Sequence, residues 1–83
     1  MTKKEIVLKK PDGLNAANAA SLVQLACQYS ASIMIRRGSV FINAKSVIGV
    51  LSLGAAPGTT LTFEADGADE RRAIRALTEF MSA

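Results

Sequence analysis

Few side chains in this 83-residue chain are equipped for chemistry, and the first stretch arranged as if for it is GLNAANAA, Gly13 to Ala20. A glycine turn leads into Asn15, whose side-chain oxygen can cap a helix by accepting from a first-turn amide, a bond worth about 1 kcal/mol. The free amides and dipole of such a helix end attract anions, yet no His, Arg or Lys stands in the stretch to supply a nucleophile or a cation. Ser46 is the second candidate: it precedes the apolar run VIGVLSL and occupies the position of a helix N-cap. Residue types alone leave two readings of Ser46 open. It either caps a helix whose apolar residues face the core, or stands beside Lys45 and an exposed patch of Val47, Ile48 and Leu51 that receives a partner. Cys27 is the only cysteine and the chain has no histidine. No intramolecular disulfide can form, which suits a reducing, cytoplasmic compartment, and a metal-ligand set is missing. Cys27 itself reads as a small buried side chain on a helix.

Composition sets outer limits on what these residues serve. Hydrophobic residues make up 49% of the chain and charged ones 20%, enough for one apolar core in one domain, 1–83, but not for a deep enclosed active site as well. Residues 1–45 hold seven Lys/Arg against two acids, a balance of +5; residues 46–83 hold three against five, a balance of −2. That polarity suits an acidic protein partner. It does not suit nucleic acid, because no basic run exceeds two residues and no aromatics are interleaved. The uncharged runs 13–35 and 46–63 are interrupted, the first by Asn and Gln, the second by Gly and Pro, so neither reads as a membrane span. The opening MTKKEIVLKK lacks the apolar segment of a signal peptide.

The elements that would position these residues follow from periodicity. EIVLK at 5–9 reads as a strand, followed by a Pro11-Asp12-Gly13 turn. Ala16 to about Tyr29 reads as a helix, with Ala19, Leu22, Val23 and Ala26 on one stripe. SIMIR (32–36) and VFIN (40–43) read as a hairpin turning at Gly38. A short helix then runs from Ser46 to a stop at Gly54. LTFEA (61–65) alternates, and Asp69 is expected to cap a last helix that buries Ala73, Ile74, Leu77, Phe80 and Met81. The order βαββαβα, with helices able to cover one face of an amphipathic sheet, predicts a two-layer α/β sandwich.

From Glu5 to Met81 the chain resembles the HPr family, the small histidine-containing phosphocarriers of the bacterial sugar phosphotransferase system. The most specific segment is AKSVIGVLSLG, Ala44 to Gly54, similar to the Gram-positive signature around a regulatory serine; GADE at 67–70 also fits. The resemblance implies an open-faced β-sandwich, a four-stranded antiparallel sheet with three helices on one face. Family members read GLHxRPA where this chain reads GLNAANA, which places the family's histidine on Asn15, its arginine on Ala17 and its proline on Asn18. An amide nitrogen is delocalised into its carbonyl and cannot attack phosphorus as imidazole does, and Ala17 offers no charge-assisted bonds to phosphoryl oxygens. The chain is therefore similar in type to the catabolite-repression HPr-like proteins, which lack the histidine and keep the serine. That likeness implies a non-enzymatic, regulatory protein without cofactor, phosphorylated on Ser46 by an HPr kinase/phosphorylase. It implies protein partners met through Asn15, Lys45, Val47, Ile48 and Leu51: the catabolite control repressor or Enzyme I. The alternative is an unmodified binding module docking on Enzyme I, a transporter component or a metabolic enzyme.

Overall fold

The computed structural model describes residues 1–83. Four strands, β1 (Thr2–Val7), β2 (Ser32–Arg37), β3 (Val40–Asn43) and β4 (Thr60–Asp66), alternate with three helices, α1 (Ala16–Ala26), α2 (Val47–Ser52) and α3 (Glu70–Ser82), in the order βαββαβα. The strands form one antiparallel sheet ordered β1-β4-β2-β3. Strand alternation decides which face is dry. Leu61, Phe63 and Ala65 of β4, with Ile33 and Ile35 of β2 and Ile6 of β1, point into one cluster with the helices. Residues between them form the open face, where Arg36 sits 3.7 Å from Glu64 and over the Phe41 ring. The three helices share the other face, which is the open-faced α/β sandwich expected from the residues and the resemblance. Helix stripes match their predicted periodicity: α1 buries Ala19, Leu22, Val23 and Ala26, and α3 buries Ala73, Ile74, Leu77 and Met81. Phe80 is only partly covered and lies under the Lys10 ammonium.

Several boundaries differ from the sequence reading, each for a tertiary reason. β1 begins at Thr2 and ends at Val7 instead of covering 5–9, because its register is dictated by β4, from Thr2 opposite Ala65 to Val7 opposite Thr60. α1 stops at Ala26, short of Tyr29, where the amides of Gln28 and Tyr29 close tighter bonds to the carbonyls of Leu25 and Ala26. Cys27 thereby becomes the helix's exposed C-terminal cap, contrary to the expectation of a buried helical side chain. Asp69 does not cap its own helix with its side chain. Its carboxylate instead accepts from the amides of Ser30 and Ala31, both at 2.9 Å, and fixes the chain between α1 and β2.

Those bonds have a pH consequence. The Ser30 amide above all, with that of Ala31, holds the Asp69 carboxyl below its ordinary value. Next to it, Glu70 accepts from the Thr2 hydroxyl at 2.6 Å and the Gly67 amide at 3.1 Å, which lowers its pKa from 4.5 to about 2. Both groups bind protons more readily when unfolded, so their contribution is present above the unfolded pKa and is lost as pH falls through the folded one. Thermal midpoints measured by circular dichroism should therefore drop between pH 4.5 and about 2. The double variant Asp69→Asn/Glu70→Gln should start lower and show a flatter decline over that window.

Candidate functional site

The turn from β3 into α2 presents Ser46. Ala44 is buried and its amide bonds the Ile33 carbonyl, anchoring the turn to β2. The Asn43 side chain then accepts from the Lys45 amide at 2.8 Å, and its carbonyl accepts from Ser46 at 3.1 Å. This asparagine turn was not singled out in the sequence, although an Asn three residues before an N-cap serine is a readable turn signal. Ser46 is extended at φ −113° and ψ 118°, and its hydroxyl oxygen accepts from the Gly49 amide at 3.1 Å. The serine is exposed, so the hydroxyl that caps the helix is also open to solvent.

α2 has one buried side chain, Val50, and it turns its remaining apolar residues outward. Val47 and Leu51 are each 40% exposed and Ile48 is 82% exposed. Such side chains in water are a local cost that a partner surface would relieve. Lys45 lies beside the serine, but its ammonium donates to the Tyr29 carbonyl at 2.7 Å, joining the start of α2 to the end of α1. At the other end of α2 the Arg37 guanidinium donates to the Leu53 carbonyl, so the short helix is tied down at both termini.

Asn15 caps α1, its Oδ1 accepting from the Asn18 amide at 2.8 Å. The Asn18 side chain returns the favour to the loop by donating to the Gly13 carbonyl at 2.7 Å. That second bond was missed in the sequence, where Asn-x-x-Asn is a weak, neutral relative of the capping box. The two asparagines act as a pair, since a proline at 18 would have no amide to give Asn15. Gly13 packs against the loop after α2: the Leu14 amide donates to the Ala55 carbonyl at 2.9 Å, and Gly13 adopts φ +64° beside it. The GLNAANAA loop and the α2 segment are thus joined through Ala55, and α1 packs directly on α2. Asn15 and Ala17 are both exposed, with no cationic side chain bonded to either.

The model of the family described as PTS HPr component phosphorylation site matches residues 2–83. The chain belongs to the HPr family. A phosphocarrier protein HPr of Neisseria meningitidis is 35% identical over 82 residues, 99% of this chain and 92% of that protein. An HPr-like protein Crh of Halalkalibacterium halodurans is 37% identical over 81 residues, 98% of this chain and 96% of the other. The crystal structure of HPr from Bacillus anthracis superposes with a TM-score of 0.94 at 32% identity, over 96% of this chain and 95% of that one. HPr proteins are phosphocarriers, not catalysts of a reaction of their own, and the chain is similar both to such carriers and to an HPr-like relative. Against that background its HPr fold holds no histidine at all. No helix is long and apolar enough to cross a membrane.

Proposed function

We propose that this is a non-catalytic, cytoplasmic HPr-like protein of one domain, 1–83, that cannot carry phosphohistidine and is regulated by phosphorylation of Ser46 and by protein binding. The observation that carries the reading is the placement of Ser46, an exposed N-cap hydroxyl set beside three solvent-facing apolar side chains. A kinase can reach that oxygen, and the modification then changes the charge of the patch a partner would cover. The γ-phosphoryl group of ATP passes to Oγ as its bond to the β-phosphate breaks and ADP leaves, the hydroxyl proton going to a base of the kinase, and the ester oxygens remain near the Gly49 amide. Support for a regulatory role also comes from the likeness to an HPr-like protein Crh. Partners in this reading are an HPr kinase/phosphorylase together with the catabolite control repressor or Enzyme I.

The test is incubation with an HPr kinase/phosphorylase from the same source and ATP, followed by mass spectrometry. One phosphate is expected on Ser46 and none on a Ser46→Ala variant. An unmodified protein beside a fully modified HPr control would sink the reading.

A second reading is favoured by Ile48, which is 82% exposed without any modification. In it the α2 surface docks constitutively on Enzyme I, a transporter component or a metabolic enzyme. Binding to a candidate partner that is unchanged by Ser46→Ala but lost in Ile48→Glu would select it.

A further inference from the structure

The sheet ends at β1 on the side away from β3 and α2, and β1 pairs with β4 alone. The Leu8 amide donates to the Thr59 carbonyl, which fixes the alternation along this pair. Thr2, Lys4 and Ile6 then exchange their bonds with β4, so the N–H and C=O groups of Lys3, Glu5 and Val7 point out of the sheet. Helix α3 runs beside β1 in the same direction. At its start Glu70 accepts from the Thr2 hydroxyl, and at its end the Met81 carbonyl accepts from the Lys9 amide. Asp69 marks the flank of α3 that faces the loop after α1. Arg71 lies about 200° further round the helix and Arg75 one turn beyond it, so both stand on the opposite flank, toward the β1 edge. Lys4, opposite the core residue Phe63, is on the same side of the sheet as the helices. All three cations are exposed and free of carboxylates, since the ion pairs of the chain engage only Arg36 and the N-terminal amine.

We propose that this edge docks an acidic segment of a partner protein, taken up as an extended strand against β1. The segment's main chain pairs with the free groups of Lys3, Glu5 and Val7, and its alternate side chains bring carboxylates to Lys4, Arg71 and Arg75. Charge selects the occupant. An edge lined with lysine repels a second copy of the chain and other basic strands, whereas the net charge of +3 draws an acidic one. Glu5, the one acid on the strand, lies opposite Thr62 on the open face, away from the three cations. Glu70, at the start of the seam, is already occupied by the Thr2 hydroxyl and the Gly67 amide. The six residues of β1 offer a small contact, so binding is weak and sensitive to salt. The site does not involve Ser46, and a chain that is phosphorylated yet fails to take the peptide refutes the docking alone.

The probe is an end-blocked peptide alternating threonine and glutamate, titrated into the isotopically labelled full chain at low salt. Amide resonances of Lys3, Glu5 and Val7 should shift, and those amides should exchange with solvent more slowly in the complex. Raising the salt from about 0.02 M to about 0.3 M should weaken binding by about fivefold or more. Arg71→Gln/Arg75→Gln alters only exposed side chains, so it should keep its circular dichroism and bind at least about tenfold more weakly. Val7→Pro removes one outward-facing amide and no bond to β4, and it too should fold and bind less tightly. A peptide of the same composition with its glutamates contiguous cannot set them all on one flank and should be the poorer ligand. A chain that takes up none of the alternating peptide overturns the proposal. So do shifts confined to α2, equal binding by the double arginine variant, or equal binding of the contiguous peptide. An oligonucleotide or an anionic phospholipid vesicle that occupies this edge in place of the peptide also overturns it.

Discussion

Mixed with phosphoenolpyruvate and Enzyme I, the chain is expected to acquire no acid-labile phosphate. Asn15→His alone should reach less than about one-hundredth of the transfer rate of the triple variant Asn15→His/Ala17→Arg/Asn18→Pro, the size of effect expected when one preorganised charge stabiliser is missing. The reasons lie in the first turn of α1. Asn15 has no nucleophilic lone pair, and an imidazole placed there restores one. It does not restore a cation, because Ala17 carries none and no other cationic side chain is bonded at this helix start. Exchanging Asn15 by itself also strands the Asn18 amide that it caps at 2.8 Å. Proline at 18 has no amide to strand and is tolerated in a first helical turn. The assay is transfer of radiolabelled phosphate with a working HPr as control. Labelling of the unaltered chain, or efficient transfer by Asn15→His alone, would refute this account.

The second large effect concerns stability. Gly13→Ala should lower unfolding free energy by about 2–3 kcal/mol, since the left-handed backbone disfavours alanine by about 1–2 kcal/mol and a lost hydrogen bond adds about 1. The glycine has φ +64°, and a Cβ built there lies 2.5 Å from the Ala55 carbonyl oxygen, the acceptor of the Leu14 amide. Either that carbonyl moves and its bond breaks, or the loop before α1 lifts off. With a urea slope of about 1 kcal/mol/M for a domain of this size, the midpoint should fall by roughly 2 M or more. Gly38→Ala is the control: φ is +59°, but no atom lies within 4 Å of the added methyl. Its cost should be only the backbone preference, about 1–2 kcal/mol. Equal losses in the two variants would show that the contact with Ala55 contributes nothing.

Much of the architecture was legible in the residues. LTFEA alternates because one face of β4 is dry, and the stripes of α1 and α3 repeat at helical spacing because each helix covers the sheet along a single face. The caps Asn15 and Ser46 were readable because a cap is satisfied within its own turn. Asp69 was not, since its partners Ser30 and Ala31 are nearly forty residues away in sequence. The end of α1 was misplaced for the same reason: local propensity continues to Tyr29, whereas the backbone there is drawn toward Asp69 and the Lys45 ammonium.

The missing chemistry of GLNAANAA was decided by sequence alone, because a nucleophile is an atom that a side chain either has or lacks. The HPr fold class was decided there too, by short-range periodicity and a long, in-register family likeness. Exposure was not, because apolar residues look alike in a sequence whether they face core or water. Only the packing of α2 on β3 and α1 buries Val50 while leaving Val47, Ile48 and Leu51 outside. Only the sheet order makes β1 an edge. Solvent access is set by contacts between distant segments, and so the surfaces on which this protein is proposed to act emerge only from its tertiary structure.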